Sequence, residues 1–322
     1  MRPLFSIVIA CHNHEGFVRE SIDSALAQRH ASKEIIAVDD GSTDRTAEVL
    51  KTYGKSIVFA GLAVNGGAGA ARNHGAALAS GEYLVFLDGD DALRPEALDV
   101  YDRLIGACKP ELILGRSAKC IGTIPSESTG EHSNTIEYVA YPDFFSKDRP
   151  WVYNTSSFIV RREALLAAGG WSTEIFYQDI QDLLNRLADA GTTVLVLAPE
   201  TVWYRMHSTN AVRSILPFVK GIYQLLAKAK TGAYPGGKRL RARRRAWFGG
   251  LIYYWGKEAL GAGLYRDGFA LLASNGWVVV LAVMRRSVAW IVGRKRVQRL
   301  QFSRAEMKEQ NRAGHAELKT RG

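Results

Sequence analysis

Four short runs of apolar residues in the first part of the chain each end in a polar or glycine-rich cluster. This recurring pattern constrains the fold more than any other feature of the sequence. The runs cover residues 5–10, 34–38, 57–60 and 83–87. Runs of this length, rich in β-branched and aromatic residues, are typical of buried strands. Because open α/β sheets bind ligands beyond the carboxyl ends of their strands, the four clusters are expected to form one binding edge.

The cluster after residues 83–87 is acidic, with Asp88, Asp90 and Asp91 following the run directly. Three carboxylates at the end of a buried strand repel one another unless a cation or strong donors compensate their charge. Mg²⁺ and Mn²⁺ prefer carboxylate oxygens, and Mg²⁺ commonly lies between carboxylates and the phosphates of a substrate. The alternative is a solvated acidic turn that caps a helix near Pro95.

The order of the clusters resembles glycosyltransferase family 2. They read Cys11-His12-Asn13, then Asp39-Asp40-Gly41-Ser42-Thr43-Asp44, then Asn65-Gly66-Gly67-Ala68-Gly69-Ala70-Ala71-Arg72-Asn73, then Asp88-Gly89-Asp90-Asp91. The resemblance covers roughly residues 4–210. It implies a GT-A fold, which is an α/β architecture with an open, mostly parallel sheet flanked by helices. It also implies an inverting, metal-dependent mechanism.

The resemblance places the metal, Mn²⁺ or Mg²⁺, at Asp90, with Asp88 near the metal or the ribose of the donor. Asp91 is expected to support these ligands or to cap a helix. The family often closes its donor site with an aromatic-Arg-x-His segment, which here reads Tyr204-Arg205-Met206-His207. His207 is therefore a candidate phosphate donor or further metal ligand, and the alternative is a structural histidine.

The first two clusters correspond to the nucleobase side of the family's donor site. Ala10, His12 and Asn13 are expected to line the base pocket, although the family often has an aromatic residue where His12 stands. Asp39 is expected to contact the nucleobase or the ribose. Asp40 has the alternative role of capping a helix over residues 44–53.

The glycine-rich cluster is expected to bind negative charge. Gly66, Gly67 and Gly69 permit positive φ values and close backbone approach. Their amides, followed by the permanent charge of Arg72, would cradle the diphosphate of the donor at a helix start. The spacing is not that of a Walker motif, and an ordinary flexible loop is the alternative.

Inverting transfer also needs a carboxylate that takes the proton of the acceptor hydroxyl. Apolar residues recur at helical spacing in the 178–187 segment, at Ile180, Leu183, Leu184 and Leu187. Asp179 and Asp182 then fall on a neighbouring face of that helix. The family carries a Glu-Asp pair on this helix, which here reads Gln178-Asp179. Asp179 is the predicted base and Asp182 the alternative, while an ion pair with Arg186 is the structural explanation for such an acid.

Charge is distributed unevenly along the 322-residue chain. Residues 1–214 contain 20 Lys and Arg against 27 Asp and Glu, whereas residues 215–322 contain 22 against 5. A chain of this length holds one core of about 200–250 residues plus an appendage. We therefore predict a GT-A domain over residues 1–214 and a basic helical C-terminal region over residues 215–322.

An apolar stretch at residues 269–284 of the basic region is a candidate membrane-binding segment. It is interrupted by Ser274, Asn275 and Gly276 and flanked by Arg266, Arg285 and Arg286. A spanning helix needs about 20 apolar residues, so the stretch favours helices that lie in the interface of an anionic membrane. The alternative is a soluble helical hairpin packed on the catalytic domain with a solvated basic face.

Cysteine usage bears on the compartment. Cys11, Cys108 and Cys120 form neither a CxxC motif nor a Cys/His metal spacing. This pattern favours inert thiols in a reducing compartment over a disulfide framework. The first apolar run is too short for a signal peptide. The catalytic part is therefore expected in the cytoplasm, with peripheral attachment to the inner face of the membrane as an extension.

The resemblance implies an enzyme that moves a sugar from a nucleotide-sugar donor, predicted to be UDP-linked, to a glycan or lipid-linked saccharide. The product would belong to cell-envelope polysaccharide synthesis. The alternative is a catalytically degenerate protein that binds nucleotide sugars, glycans or membranes. Asp88, Asp90 and Asp179 favour the enzyme. No RNA-binding motif accompanies the arginines, so nucleic acid is not an expected partner.

Overall fold

A nine-stranded sheet forms the centre of the computed structural model, which describes residues 5–125, 135–147, 154–208, 210, 214–280, 282, 284 and 295–301. Its first half contains β1 (Phe5–Cys11), β2 (Lys33–Asp39), β3 (Val58–Gly61) and β4 (Tyr83–Asp88). These four strands pair in parallel in the order β3-β2-β1-β4. Their carboxyl ends therefore lie at one edge, as the sequence pattern predicts.

The second half of this sheet is mixed in direction. It contains β6 (Leu112–Leu114), β8 (Thr135–Tyr141), β9 (Phe158–Arg161), β10 (Thr193–Ala198) and β12 (Gln298–Gln301). β9 runs antiparallel between β4 and β6, β10 is parallel to β6, and β8 is antiparallel to β10. β12 adds to β8. The end of the described chain therefore joins the catalytic sheet, which the charge pattern alone did not predict.

A small second sheet brings two distant parts of the site together. It contains β5 (Ala92–Leu93), β7 (Ser117–Ile121) and β11 (Val202–Met206). β11 pairs with both of the other strands. Because β5 follows Asp91 and β11 precedes His207, this sheet holds the acidic cluster beside the aromatic-Arg-x-His segment.

Helices cover both faces of the large sheet. They are α1 (Val18–Leu26), α2 (Thr46–Lys51), α3 (Ala68–Leu78), α4 (Ala97–Cys108), α5 (Arg162–Ala167) and α6 (Asp179–Arg186). Side chains of β1 alternate between two cores because successive residues of a strand point to opposite faces. Ile7 and Ile9 pack in the core that contains α1 and α4. Val8 and Ala10 pack in the core that contains α3 and α6.

The C-terminal region is helical and packs on the catalytic domain. Its helices are α7 (Ile215–Lys230), α8 (Gly237–Gly261) and α9 (Tyr265–Ala273). They form a third core that includes Ile175 of the catalytic domain, and Leu240 of α8 is buried in the core beside α3 and α6. The C-terminal helices therefore share two hydrophobic cores with the catalytic domain. Within the described ranges, no helix combines the length and the apolarity needed to cross a bilayer.

The basic run of the sequence, residues 238–245, lies in the first turns of α8. A turn at Ser274 and Asn275 interrupts the apolar stretch where the sequence indicated it, and residues 276–280 are helical again. Arg285 and Arg286, which were expected to flank this stretch, lie outside the described residues.

Candidate active site

The three carboxylates of the acidic cluster have different environments. Asp91 is fully buried, accepts a hydrogen bond from Ser156 Oγ at 2.5 Å and another from the backbone N–H of Arg205 at 2.9 Å. Burial, with the nearby charges of Asp90 and Asp88, raises the pKa of the Asp91 carboxyl well above its usual range. Asp91 therefore ties β4 to β11 and to the segment before β9, in the supporting position that the sequence suggested.

Asp90 lies beside His207. Its Oδ2 is 2.8 Å from His207 Nε2 and 4.0 Å from His14 Nε2. The imidazole of His207 stacks on Phe17 with ring centroids 4.6 Å apart, and its Nε2 is 3.1 Å from Asn210 Nδ2. The structure thus brings together the two residues that the sequence proposed as neighbours of one metal.

Arg205 braces the loop that carries His207. Its side chain is almost completely buried and donates hydrogen bonds to the carbonyls of Asp90 and Gly122 at 2.8 and 2.9 Å. It also pairs with Glu20 at 2.7 Å and lies 4.9 Å from the centroid of the Phe17 ring. The contacts with the Asp90 carbonyl and with Phe17 connect this loop to Asp90 and to the ring under His207.

Among the described residues, no cluster of three or more His, Cys, Asp or Glu side chains is assembled as a metal site. Such a cage is not required for Mg²⁺, which typically uses one or two carboxylates together with substrate phosphates. Asp88 is the last residue of β4 and Asp90 lies two residues beyond it, and the Asp90 carboxylate meets the imidazole of His207. This set of oxygen and nitrogen donors fits a divalent ion that shares its coordination with a diphosphate.

Arg72 links the acidic cluster to the predicted base. Its guanidinium donates to Asp88 Oδ1 and to Asp179 Oδ2, both at 2.8 Å, and lies 4.8 Å from the ring of Trp171. Burial alone would lower the pKa of Arg72, but the two carboxylates outweigh it and raise that pKa. In this structure two of its donors are used by carboxylates of the protein, while the buried Nε of Arg72 has no hydrogen-bond partner among the described residues. Binding of negative charge by Arg72 stays a prediction.

The glycine-rich loop is also engaged within the protein. The backbone N–H of Gly66 donates to Asp40 Oδ1 at 2.8 Å, and that of Gly67 donates to Asn65 Oδ1 at 2.9 Å. A role of this loop in binding the donor stays a prediction. Asp40 does not take the alternative role of capping a helix, because the backbone N–H of Thr46 at the start of α2 donates to Asp44.

Hydrogen bonds around His12 connect the residues that the sequence assigned to the nucleobase. His12 Nδ1 is 2.9 Å from the carbonyl of Asp40, and its Nε2 is 2.9 Å from Asn65 Nδ2. Asn13, at φ +55°, accepts from Thr43 N and donates its own N–H to Ser42 Oγ. Asn13 therefore joins β1 to the loop after β2.

Asp39 is the residue in this pocket with an unused buried acceptor. Its side chain is buried, and Oδ2 accepts a long hydrogen bond of 3.3 Å from the backbone N–H of Ser42. Its Oδ1 is buried without a hydrogen-bond partner in the protein. Such an atom costs free energy unless a donor reaches it. Ala10, which precedes this pocket on β1, is buried as well.

Asp179 begins α6 and lies at the site, with its side chain 18% exposed and paired to Arg72. Burial raises the pKa of its carboxyl above the usual range, although Arg72 opposes this shift. A partly accessible carboxylate with a raised pKa suits proton abstraction from a hydroxyl. The structural explanation, an ion pair of Asp179 with Arg186, does not apply, because Arg72 is the ion-pair partner.

Asp182 has a structural environment instead. It is fully buried and pairs with Arg186 of its own helix at 2.8 Å and with Lys228 of α7 at 2.7 Å. It also accepts a hydrogen bond from Tyr234 at 2.8 Å. These contacts join α6 to the C-terminal helices and leave no exposed oxygen for an acceptor, which argues against Asp182 as the alternative base.

Three residues of the site were not found by sequence reasoning. Ser156 holds Asp91 and accepts from the backbone N–H of Asp88 at 3.0 Å. Phe17 underlies both His207 and Arg205. Asn73, although present in the quoted motif, exchanges two hydrogen bonds with the backbone of Trp171 and so joins α3 to the turn before α6. Of the three, only Asn73 could have been identified from the sequence, because it lies next to Arg72 in that motif.

Comparison with known proteins gives a consistent family. Residues 6–165 match the model of glycosyl transferase family 2. An uncharacterized glycosyltransferase of Rickettsia typhi is 42% identical over 97 residues, which are 30% of this chain and 30% of that protein. Poly-beta-1,6-N-acetyl-D-glucosamine synthase of Staphylococcus epidermidis is 28% identical over 188 residues, 54% of this chain and 43% of that protein. The chain thus matches less than half the length of either relative.

Solved structures with the same fold include two glycosyltransferase complexes. S. aureus TarS 1–349 with UDP-GlcNAc superposes with a TM-score of 0.57 at 17% identity, covering 77% of this chain and 71% of that chain. The mannosyltransferase PcManGT from Pyrobaculum calidifontis, with GDP-Man and Mn²⁺, gives 0.51 at 14% identity, covering 89% and 87%. At these identities the likeness concerns the fold, and it confirms the predicted GT-A architecture.

Proposed function

Because the chain belongs to glycosyl transferase family 2, we propose that it is an inverting, metal-dependent glycosyltransferase with a UDP-sugar donor and a saccharide acceptor. The acceptor hydroxyl attacks the anomeric carbon as the bond from that carbon to the diphosphate oxygen breaks. The hydroxyl proton passes to Asp179, and the nucleoside diphosphate leaves. A single displacement of this kind inverts the configuration at the anomeric carbon.

The observation that carries the proposal is the bridge made by Arg72. One guanidinium contacts both Asp88, at the end of β4, and Asp179, at the start of α6, at 2.8 Å each. A donor held at the acidic cluster and an acceptor hydroxyl at Asp179 are then close to one another. Displacement needs this arrangement, since the reacting atoms must approach to about 3–3.5 Å.

Asp90 and Asp88, with His207 beside Asp90, are the residues that would hold Mn²⁺ or Mg²⁺. When bound, such an ion stabilises the negative charge of the leaving diphosphate. Arg205 and Phe17 position His207 and Asp90 for this role. A structural neighbour of the same fold contains Mn²⁺, which supports a divalent ion here.

The pocket around Asp39 supports a uridine donor. The buried and unpartnered Oδ1 of Asp39 is an acceptor that suits the ring N–H of uracil. His12 and Asn13 are fixed at the entrance by their bonds to the loops after β2 and β3. UDP-GlcNAc is bound by the neighbour TarS, which supports the same class of donor.

Cell-envelope polysaccharide synthesis is the process in which we place the enzyme. A relative makes poly-beta-1,6-N-acetyl-D-glucosamine, so a glycan or lipid-linked saccharide is the acceptor that we propose. The degenerate binding protein is disfavoured because the acidic cluster, Arg72 and Asp179 form one bonded unit.

The proposal is tested with a panel of nucleotide sugars, with Mn²⁺ or Mg²⁺, by measuring release of the nucleoside diphosphate. We expect UDP release from a UDP-sugar that stops when EDTA removes the metal. Asp90→Asn should abolish this turnover and leave the thermal transition in place. Full activity of Asp90→Asn would exclude the metal assignment, and a wild-type chain that binds UDP-sugars without turnover would favour the degenerate alternative.

We also propose that the C-terminal helices attach the enzyme to an anionic membrane, at the inner face of the cell membrane. The supporting observation is a group of exposed apolar side chains next to a strongly basic helix: Tyr265, Phe269, Trp277, Val280 and Met284 are 64%, 62%, 58%, 51% and 58% exposed. Trp277 also contacts the basic run of α8, because the Arg245 guanidinium lies 5.5 Å from its ring centroid. Aromatic and basic side chains together favour an anionic interface.

A further inference from the structure

Two aromatic side chains are exposed immediately before the candidate base. Phe176 and Tyr177 are 53% and 42% exposed, and α6 begins at Asp179. Neither belongs to the motifs that identify the donor site. Large aromatic side chains are usually buried at least in part, and exposed ones that adjoin a reactive group are candidate ligand contacts.

Both rings are held in place by contacts with the rest of the protein. The edge of the Phe176 ring packs against Gly67 of the glycine-rich loop. The contact is so close that a Cβ added to Gly67 would lie 2.8 Å from Phe176 Cε1. The Tyr177 ring meets Phe218 of α7 edge to face, with centroids 5.2 Å apart. Phe218 in turn stacks on Trp255 of α8 at 4.3 Å. The two rings therefore have fixed positions beside the site, although about half of each side chain is exposed.

The backbone of Tyr177 is held in an unfavourable conformation. Its φ is +62°, in the left-handed region that glycine, asparagine and aspartate adopt more readily than an aromatic residue. Outliers of this kind persist when the surrounding structure fixes them, and they concentrate at functional sites. The Tyr177 side chain is thus presented from a backbone conformation that glycine adopts more readily.

We propose that Phe176 and Tyr177 form the platform on which the sugar ring of the acceptor binds. This inference rests on the proposed function, because it takes Asp179 as the base. The acceptor hydroxyl must come within hydrogen-bond distance of Asp179, so the ring that carries it lies beside the residues next to Asp179. The C–H face of a pyranose is apolar and complements the face of an aromatic ring. Phe176 also contacts Gly67 of the glycine-rich loop, which we assign to the donor, and so lies where donor and acceptor meet.

The test uses the full chain saturated with UDP and Mn²⁺ and a panel of methyl pyranosides of glucose, galactose, mannose and N-acetylglucosamine. Binding is measured by saturation-transfer NMR. We expect at least one glycoside to bind the wild-type chain. Tyr177→Asn, which tolerates the positive φ but lacks the ring, and Phe176→Leu should each weaken this binding by about tenfold. Tyr177→Phe keeps the ring and should retain it.

UDP affinity and the thermal transition separate a binding role from a structural one. Tyr177→Asn should bind UDP like the wild type and should remain folded at the temperature of the assay, because asparagine tolerates the positive φ although the contact with Phe218 is lost. Loss of UDP binding together with glycoside binding would make Tyr177 structural and overturn the proposal. Wild-type binding of none of the glycosides would overturn it as well.

Two further results distinguish the inference from the proposed function. If the wild-type chain releases UDP from a UDP-sugar and glycosides bind equally well to all variants, the platform is wrong and the function stands. If no nucleotide sugar is turned over, the proposed function fails and the platform fails with it. Ring-dependent binding of a short polyprenyl phosphate without any glycoside binding would assign the two rings to a lipid carrier and overturn the saccharide proposal.

Discussion

The guanidinium of Arg72 lies between Asp88 and Asp179, 2.8 Å from one oxygen of each. It is the residue through which the acidic cluster and the candidate base affect one another. The pKa of Asp179 is set by the balance between burial, which raises it, and Arg72, which lowers it.

Asp179→Asn should reduce sugar transfer by about 10²–10⁴-fold, because it removes a positioned base and preserves the shape of the side chain. Thermal stability is subject to two opposing effects, because the change removes a largely buried carboxylate but also removes one of the two ion-pair partners of the buried Arg72. Since the pKa of Asp179 is raised in the folded protein, the folded chain binds more protons than the unfolded chain between the two pKa values. Stability is then lost as pH rises through that window, and the ionised carboxylate weakens the fold at neutral pH. Transfer assays and thermal melts at pH 7 measure both effects.

Asp182→Asn is the matched control on the same helix. Because Asp182 is buried with Arg186, Lys228 and Tyr234 around it, this change should lower the free energy of unfolding by roughly 1–3 kcal/mol. An exposed ion pair on a helix contributes only a few tenths of a kcal/mol. A loss of that size would therefore contradict the buried, structural role of Asp182. If Asp182→Asn abolished transfer without loss of stability while Asp179→Asn did not, the base would have to be Asp182.

The pH dependence of transfer should depend on Arg72. The base must be ionised, so kcat/KM should fall as pH falls through the raised pKa of Asp179, above the range of an ordinary aspartate. Arg72→Met removes the cation that lowers this pKa. The pH at which kcat/KM falls on the acid side, the acid limb of the profile, should therefore be higher in this variant than in the wild type. Arg72→Lys keeps the positive charge but not the planar guanidinium that contacts both carboxylates. This variant should shift the acid limb less than Arg72→Met does. An acid limb at the same pH in wild type and Arg72→Met would show that another group controls it.

The sequence predicted the identity of the site residues better than their contacts. Asp88, Asp90, Asp179 and His207 were all singled out, and the structure places them in two groups: Arg72 bridges Asp88 and Asp179, and His207 contacts Asp90. The partner of Arg72 was not predicted, because a guanidinium near a glycine-rich loop binds phosphate or carboxylate equally well on chemical grounds. Which of them it contacts depends on how α3 packs against α6, and these helices are about 100 residues apart in the chain.

At the scale of secondary-structure elements, α7 determines the position of the segment before Asp179. Gln178 donates to the carbonyl of Phe218 at 3.3 Å. At Gly221 the two backbones approach so closely that a Cβ would lie 2.7 Å from Gln178 Cγ and 2.9 Å from the carbonyl oxygen of Phe176. The orientation of α6 therefore depends on a helix outside the matched family segment.

Gly221→Ala should accordingly move α7 away from residues 176–178. We expect a loss of roughly 1–3 kcal/mol in the free energy of unfolding, typical of overpacking, together with a fall in transfer rate. Gly106→Ala is the matched control, because a Cβ at Gly106 of α4 meets no atom within 4 Å. That change should stabilise the protein by about 0.5–1 kcal/mol without altering transfer. Equal effects of the two substitutions in denaturant titrations would contradict the close contact.

The elements that the sequence predicted well are those with a local signal. β1, β2, β4 and α6 follow from apolar runs or helical periodicity, and each lies within one or two residues of its predicted bounds. β12, with the sequence Gln298–Gln301, has no such signal. It is a strand because β8 offers an unpaired edge, which is a property of the tertiary structure.

At the scale of the whole molecule, the charge boundary near residue 214 does not separate two independent bodies. The C-terminal helices share a core with Ile175, complete the partners of Asp182 and lie behind the aromatic pair beside Asp179. An acidic catalytic domain and a basic helical region therefore pack as one unit. Any surface that the basic region binds is consequently held at a fixed distance from the active site.

The exposed apolar side chains of α9 and of the helical residues that follow it give the last prediction. Phe269→Ser and Trp277→Ser should each weaken binding to vesicles that contain anionic lipid. Both side chains are more than half exposed, so each adds apolar area that an interface can bury. They lie beside basic residues, each of which contributes about 1 kcal/mol near an anionic surface. Binding should weaken with salt, since exposed charges are screened over ~8–10 Å. Leu166→Ser, at a side chain on α5 that is 50% exposed, should have no effect on co-sedimentation. Equal binding to neutral vesicles, or binding to neither kind, would leave the C-terminal helices as a packing unit without a membrane role.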